Sequence, residues 1–180
     1  MVDASSSFQD SLPVSSDALL DQMRATGIEF ELFEHKPLST VEDSKTVQGV
    51  DVPKAPGRAN IKNFYLRDKK KRNYLVVLEQ DRDVDLADLG AKIGAGKVSF
   101  GSSDRLMEHL GVRPGAVSPL AMVTGAEKGV WLFIDAALRN VQWIHAHPLV
   151  NDRTLAIRPA DLEKLLAGWG VELNWFDPAD

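Results

Sequence analysis

The chain has 180 residues, 44% of them apolar and 26% charged, with a formal net charge of −5. That length suits a single domain with a substantial core, and the composition is that of a folded domain rather than a disordered or fibrous chain. Cysteine is absent, which excludes thiol nucleophiles, disulfides and thiolate metal sites. The N-terminus shows no export signal and no apolar run is long enough to span a bilayer, so a cytoplasmic protein with no membrane association is expected.

The charge is unevenly spread. From Lys45 to Arg72 there are nine basic residues against two acidic ones, and the remainder holds twelve basic against twenty-four acidic. Such segregation either focuses a phosphate-bearing partner on one surface or marks a solvated, lysine-rich turn.

In chain order, residues 1–14 are rich in Ser and Asp without a period, and a mobile arm is expected. One folded domain should then occupy 15–180. Ser15 or Ser16 can cap a helix with apolar positions at Leu19, Leu20 and Met23, and Gly27 stops it. Residues 29–33 alternate as a strand does. Thr40 and Asp43 have the spacing of a capping box, which predicts a short helix carrying Lys45. Pro53, Pro56 and Gly57 fix a loop. The runs 61–68 and 74–79 flank Lys69-Lys70-Lys71-Arg72 as a hairpin. Asp85, then Ser102 or Ser103, can cap two further helices, the second stopped by Gly111.

A Gly/Pro turn at 111–119 precedes an apolar run from Leu120, read as a strand paired in a hairpin with the strand ending at Asp135. A third strand ends at His147. Residues 154–158 form a short strand, Pro159 opens a helix at the position proline tolerates best, and 171–176 close the chain as a strand. The pattern predicts an α+β fold: a mixed, mainly antiparallel, curved and barrel-like sheet surrounded by helices.

The ends of these strands carry the candidate chemistry. The Gly-rich pieces lack any phosphate-binding fingerprint, so no nucleotide cofactor is expected. On a strand, His145 and His147 share a face. They fit either a metal pair, with Asp135 or His35 as third ligand, or hydrogen-bonded histidines. The lack of an HExxH pattern favours the second reading, and no metal is expected. Ser118, His147 and Asp135 can be written as a triad, but no GxSxG elbow surrounds the serine. Lys45 suits a point charge for phosphate.

Five segments taken together resemble the YbaK/ProX family of aminoacyl-tRNA editing domains: STVEDSKTVQG, IKNFYLRDKKKRNYLVVL, GVRPGAVSPLAM, WLFIDAAL and IHAHPLVNDRTLAIRPADLEKLL. In order and spacing they cover roughly residues 27–175, in the form of the free-standing prolyl-tRNA editing proteins. The resemblance implies a cofactor-free hydrolase that deacylates mischarged tRNA(Pro), Ala-tRNA(Pro) above all. Its implied partners are the acceptor end of that tRNA and, transiently, prolyl-tRNA synthetase, with no role for DNA. It also implies the site. Lys45, Gly115, Asp135 and His147 match the catalytic positions, and Lys62, Asn63, Ala116, Val117, Ser118 and Pro119 match substrate-binding ones. The basic residues Arg58, Lys69, Lys70, Lys71 and Arg72 are expected to meet the tRNA backbone. Alternatives from the same residues are deacylation of another mischarged tRNA such as Cys-tRNA(Pro), a non-catalytic tRNA-end binding module, or a metal hydrolase using the His pair.

Overall fold

Residues 74–78 read Tyr-Leu-Val-Val-Leu, an unbroken apolar run that only a strand covered on both faces can hide. In the computed structural model, which describes residues 2–179, all five are buried. The elements in order are α1 (Ser16–Ala25), β1 (Phe30–Glu34), α2 (Val41–Val47), β2 (Arg58–Ala59), β3 (Ile61–Asp68), β4 (Asn73–Glu79), α3 (Leu86–Lys92), β5 (Val98–Phe100) and α4 (Ser103–Leu110). They continue with α5 (Met122–Gly125), β6 (Trp131–Asp135), β7 (Trp143–Ala146), β8 (Arg153–Ile157), α6 (Pro159–Gly168) and β9 (Leu173–Phe176).

The α+β class holds, but the strands form two mixed sheets and no closed barrel. One sheet has the order β1-β8-β7-β2 and the other β5-β3-β4-β6-β9. Leu75 and Val77 of β4 join Leu132 and Ile134 of β6 in the main core, which also takes in α1, α4, α6 and the apolar residues of β7 and β8. Tyr74, Val76 and Leu78 face the other way, with Leu66, onto Leu89 and Ile93 around α3. A third, small cluster packs Val47 of α2 on Leu38 and Val52, backed by Phe33. It fixes α2 beside the ends of β3 and β7.

The β3–β4 hairpin forms as the sequence predicts, in register from Ile61↔Glu79 to Arg67↔Asn73. Its turn contains no glycine. Lys71 takes a left-handed φ of 65°, and Asp68 secures the turn by accepting from the Arg72 amide and guanidinium.

Two expectations need correction. The run from Leu120 is a helical turn, Pro119–Ala121 leading into α5, so the expected hairpin between this run and β6 does not form, and β6 pairs parallel to β4 and β9. Ser118 caps that turn by accepting from the Leu120 amide, so the chain turns where an extended strand was expected. Residues 2–14 do not form a free arm. Ala4 and Leu12 enter the main core, the Ser6 hydroxyl and amide both donate to Asp152, and Arg113 donates to Ser11.

Candidate functional site

Three loops meet beside α2 and the start of β3. The first, 38–40, runs into the cap of α2, where the Thr40 side chain accepts from the Asp43 amide and the Asp43 carboxylate accepts from the Thr40 amide. This is the predicted capping box. The second loop is 113–118. Gly115 has φ +93°, and a Cβ there would lie 3.2 Å from the Leu38 carbonyl oxygen and 3.4 Å from the Asn151 amide nitrogen. Glycine is therefore favoured by the left-handed conformation, and a Cβ would also crowd the Leu38 carbonyl. The third, 147–151, follows β7, with Leu149 at φ 69°. Side chains pin the junction: Asn151 donates to the Leu38 carbonyl at 2.7 Å, and the Ser118 hydroxyl donates to the His147 carbonyl at 2.6 Å.

These loops enclose two adjoining spaces. An inner chamber of about 40 Å³ is lined by Leu38, Ser44, Val47, Gln48, Val52 and Asn60, and by side chains of β3 and β7. An outer vestibule of about 200 Å³ is lined by Thr40, Lys62, Phe64, Gly115 and Val117 among others. Asn63 and His147 line both. The Asn63 side-chain oxygen is buried and has no hydrogen-bond partner among the described residues, although a buried acceptor in a folded protein nearly always has one. Lys62 donates to the Arg82 carbonyl, which holds its stem along the vestibule wall.

His147 places one ring nitrogen, Nδ1, 2.7 Å from the Arg153 carbonyl. Since a carbonyl only accepts, Nδ1 carries the proton and Nε2 is left as an acceptor. His145 is fixed in the same tautomer: Nδ1 donates to Asn60 and Nε2 accepts from Arg58. His35 donates to the Lys36 carbonyl and accepts from Thr154. His35 and His145 thus spend both ring nitrogens on protein partners, and no grouping of three His, Asp or Glu suited to a metal occurs among the described residues.

Burial pushes the pKa of both His145 and His147 down to about 4. The Arg58 charge adds to the effect at His145, while the Arg153 carbonyl opposes it at His147. In the unfolded chain each would titrate near 6.5. Their contribution to stability is therefore fully present above about pH 6.5. It is lost as pH falls towards 4, where the unfolded chain binds protons that the folded one refuses. The urea midpoint should fall from pH 7.5 to pH 5. A midpoint that rises on acidification contradicts neutral, buried imidazoles.

The structure gathers some of the expected site residues and separates others. Gly115, Val117, His147, Lys62 and Asn63 share the vestibule. Lys45 lines neither space; it follows pocket-lining Ser44 on α2, with its ammonium 3.6 Å from Asp81 and 3.9 Å from Glu42. Ala116, Ser118 and Pro119 are buried behind the loop. Leu120 and Met122, next along the chain, lie in the main core, and the apolar part of the vestibule wall includes Leu38, Ile61 and Val117.

Asp135 does not line either space. Its carboxylate is fully buried and accepts from Arg82 at 2.9 and 3.1 Å and from the Glu79 and Ala137 amides. A Ser118–His147–Asp135 triad is thereby excluded, because Ser118 bonds a backbone carbonyl and Asp135 bonds Arg82. Arg58 is paired with Glu31 at 2.9 Å and lies over the Trp143 ring, not on an open phosphate-binding face. Lys69–Arg72 occupy the far end of the hairpin. Sequence reasoning missed Asn151 and Arg82, both of which hold the site together. Arg82 lies in a run of alternating charges and Asn151 in a loop, so neither stands out by pattern.

The family described as aminoacyl-tRNA editing domain matches residues 35–165. A prolyl-tRNA editing protein ProX of Acetoanaerobium sticklandii is 35% identical over 154 residues, covering 85% of this chain and 89% of the relative. A prolyl-tRNA synthetase associated domain-containing protein 1 of Danio rerio is 33% identical, covering 80% and 77%. Among solved structures, a proposed trans-editing enzyme for prolyl-tRNA synthetase superposes with TM-score 0.64 at 17% identity, over 90% of this chain and 96% of the other.

Proposed function

This chain belongs to the aminoacyl-tRNA editing domain family, and on that premise we propose that it is a trans-editing deacylase that hydrolyses the ester of mischarged tRNA(Pro), with Ala-tRNA(Pro) as the preferred substrate. The observation that carries the reading is the shared wall of the two spaces. There Asn63, whose side-chain oxygen has no partner among the described residues, and His147 line both spaces, and Gly115 lines the vestibule with them.

In this arrangement the inner chamber takes the amino-acid side chain and the vestibule takes the ester and the terminal ribose. Asn63 accepts from the substrate's α-ammonium, the donor that its buried oxygen lacks. The close approach permitted by Gly115 brings the ester carbonyl to the loop backbone, whose amides can polarise it. His147, with a pKa of about 4, is too weak a base to carry a proton at neutral pH. It orients the attacking water or a ribose hydroxyl through Nε2. Water adds to the ester carbonyl, the ribose oxygen leaves with the proton, and free amino acid and tRNA are released. An ester has a fair leaving group, so positioning and oxyanion stabilisation suffice.

The chamber walls support a preference for Ala. Leu38, Val47 and Val52 are almost fully buried and packed on Phe33, so they yield little. A methyl group enters, whereas a prolyl ring joined to both Cα and nitrogen meets the wall and blocks the contact with Asn63. Rejecting a larger group by clash is the direction in which one small cavity discriminates well. The test is multiple turnover on tRNA(Pro) labelled in the alanyl group. Release of many equivalents of alanine per protein is expected. Protection of the ester, or release of no more than spontaneous hydrolysis gives, would make the chain a binding module.

A further inference from the structure

The basic residues that the pocket leaves unused gather at the opposite end of the five-stranded sheet. β3 leads away from the pocket. With Asn63 at the vestibule and Asp68 at the strand's end, a rise of about 3.3 Å per residue puts the β3–β4 turn roughly 17 Å away. That turn exposes Lys69, Lys70 and Lys71. β5 runs antiparallel to β3 with Asp68↔Val98, which sets exposed Lys97 alongside Lys69. β6 runs parallel to β4 with Tyr74↔Trp131, so the turn before β6 brings exposed Lys128 to the same end. Three separate connections thus deliver five lysines to one surface. Trp131, 52% exposed, borders it.

Among the described residues, none of the five lysines is in an ion pair, whereas Arg72 beside them is taken by Asp68. Besides Asp68, which holds Arg72, the acids at this end are Glu127, next to Lys128, and Glu172, which the β6–β9 register sets beside Trp131, and they are fewer than the lysines. On a chain whose net charge is −5, this concentration of unneutralised charge is local and suits a polyanion. Lysines are point charges without the planar fork that reads bases, so such a surface supplies affinity and register rather than sequence recognition.

We propose that this end of the sheet binds the phosphodiester backbone of the tRNA's double-helical stem while the pocket holds the aminoacyl end. The inference rests on the reading of the chain as one that acts on charged tRNA. A tRNA carries its ester on a single-stranded tail beyond a helical stem, and the roughly 17 Å offset estimated from strand rise separates contacts to the tail from contacts to the stem.

The test replaces Lys69, Lys70, Lys71, Lys97 and Lys128 together by Ser. A second variant, Lys97→Glu with Lys128→Glu, leaves the hairpin turn untouched. For uncharged tRNA, affinity should fall tenfold or more, and the dependence of log K on log salt should become shallower by roughly 0.7–0.9 for each phosphate that is no longer neutralised. With aminoacyl esters, KM should rise on full-length tRNA but not on a short single-stranded 3′ fragment bearing the same amino acid. An unchanged salt slope together with an unchanged KM on full-length tRNA overturns the proposal. If the wild-type protein hydrolyses no aminoacyl-tRNA at all, the catalytic reading fails, and binding of uncharged tRNA still decides whether this surface meets RNA.

Discussion

Replacing Lys45 by Ala is expected to lower kcat/KM on aminoacyl-tRNA by a factor of about 100 or more, the size of effect that lost positioning produces. The melting temperature should stay within about 2 °C of wild type, because exposed ion pairs contribute about 0–1 kcal/mol. Both halves follow from where the side chain stands. It is 47% exposed, and its partners Glu42 and Asp81 are still more exposed. The start of α2 is held by Thr40 and Asp43, not by Lys45, and its inner side by Val47. Nothing in the fold depends on the ammonium. The amine nevertheless sits on the helix that supplies Ser44 and Gln48 to the inner chamber, where it can turn from Asp81 to a terminal phosphate. Asp81→Ala should therefore leave activity intact or lower KM. A folded Lys45→Ala protein with wild-type kcat/KM would remove Lys45 from the site.

Asp135→Ala is expected to destabilise the protein by about 3 kcal/mol, the range for breaking a buried, hydrogen-bonded ion pair. The corresponding drop in melting temperature is roughly 10 °C for a chain of this size. The carboxylate is completely buried, while its Arg82 partner is 28% exposed and can reach water once released. The cost is therefore lost bonding at the ends of β4 and β6 more than a stranded cation. Activity should fall as well, indirectly. Arg82 is tied to Asp135 through its guanidinium and to Lys62 through its carbonyl, so releasing it loosens one wall of the vestibule. Asp135→Asn should lose part of the stability and part of the activity together. An Asn variant of unchanged melting temperature but vanishing kcat would assign Asp135 a direct part in the reaction, against the placement seen here.

Much of the framework was legible in the residues because it is local. The capping box at Thr40 and Asp43, the hairpin around Lys69–Arg72 and the helix opened by Pro159 each rest on interactions within a few positions. The turn at 119–125 was misread because a short apolar run has the same appearance as a buried strand or a buried helix, and periodicity cannot separate them. The docking of residues 2–14 depends on Asp152 and Arg113, more than a hundred positions away from the serines they bind. At the site, the Gly115 turn and His147 announced themselves through residue type. Asp135 carried the same signal, an acid closing an apolar strand, yet points to Arg82. Nothing in a linear pattern states which way a carboxylate faces at a strand end. Asn63 is the converse case. Its type and place in β3 give no signal; it entered the expected site through the family resemblance alone, and the structure adds an oxygen buried without a partner among the described residues.

The central claim is that a small, rigid chamber behind Asn63 and His147 selects the ester to be hydrolysed. The most direct measurement is the initial deacylation rate of one tRNA(Pro) charged in turn with Ala, Ser, Cys and Pro, at equal subsaturating concentration. The Ala ester is expected to be hydrolysed at least about a hundredfold faster than the Pro ester, a discrimination of roughly 2.7 kcal/mol in the transition state. Ser should fall between them, since its hydroxyl adds little volume to a methyl group and is hard to reject on size alone. Equal rates on the Ala and Pro esters would contradict selection by the chamber, and a clear preference for Cys would assign the pocket to a different mischarged tRNA.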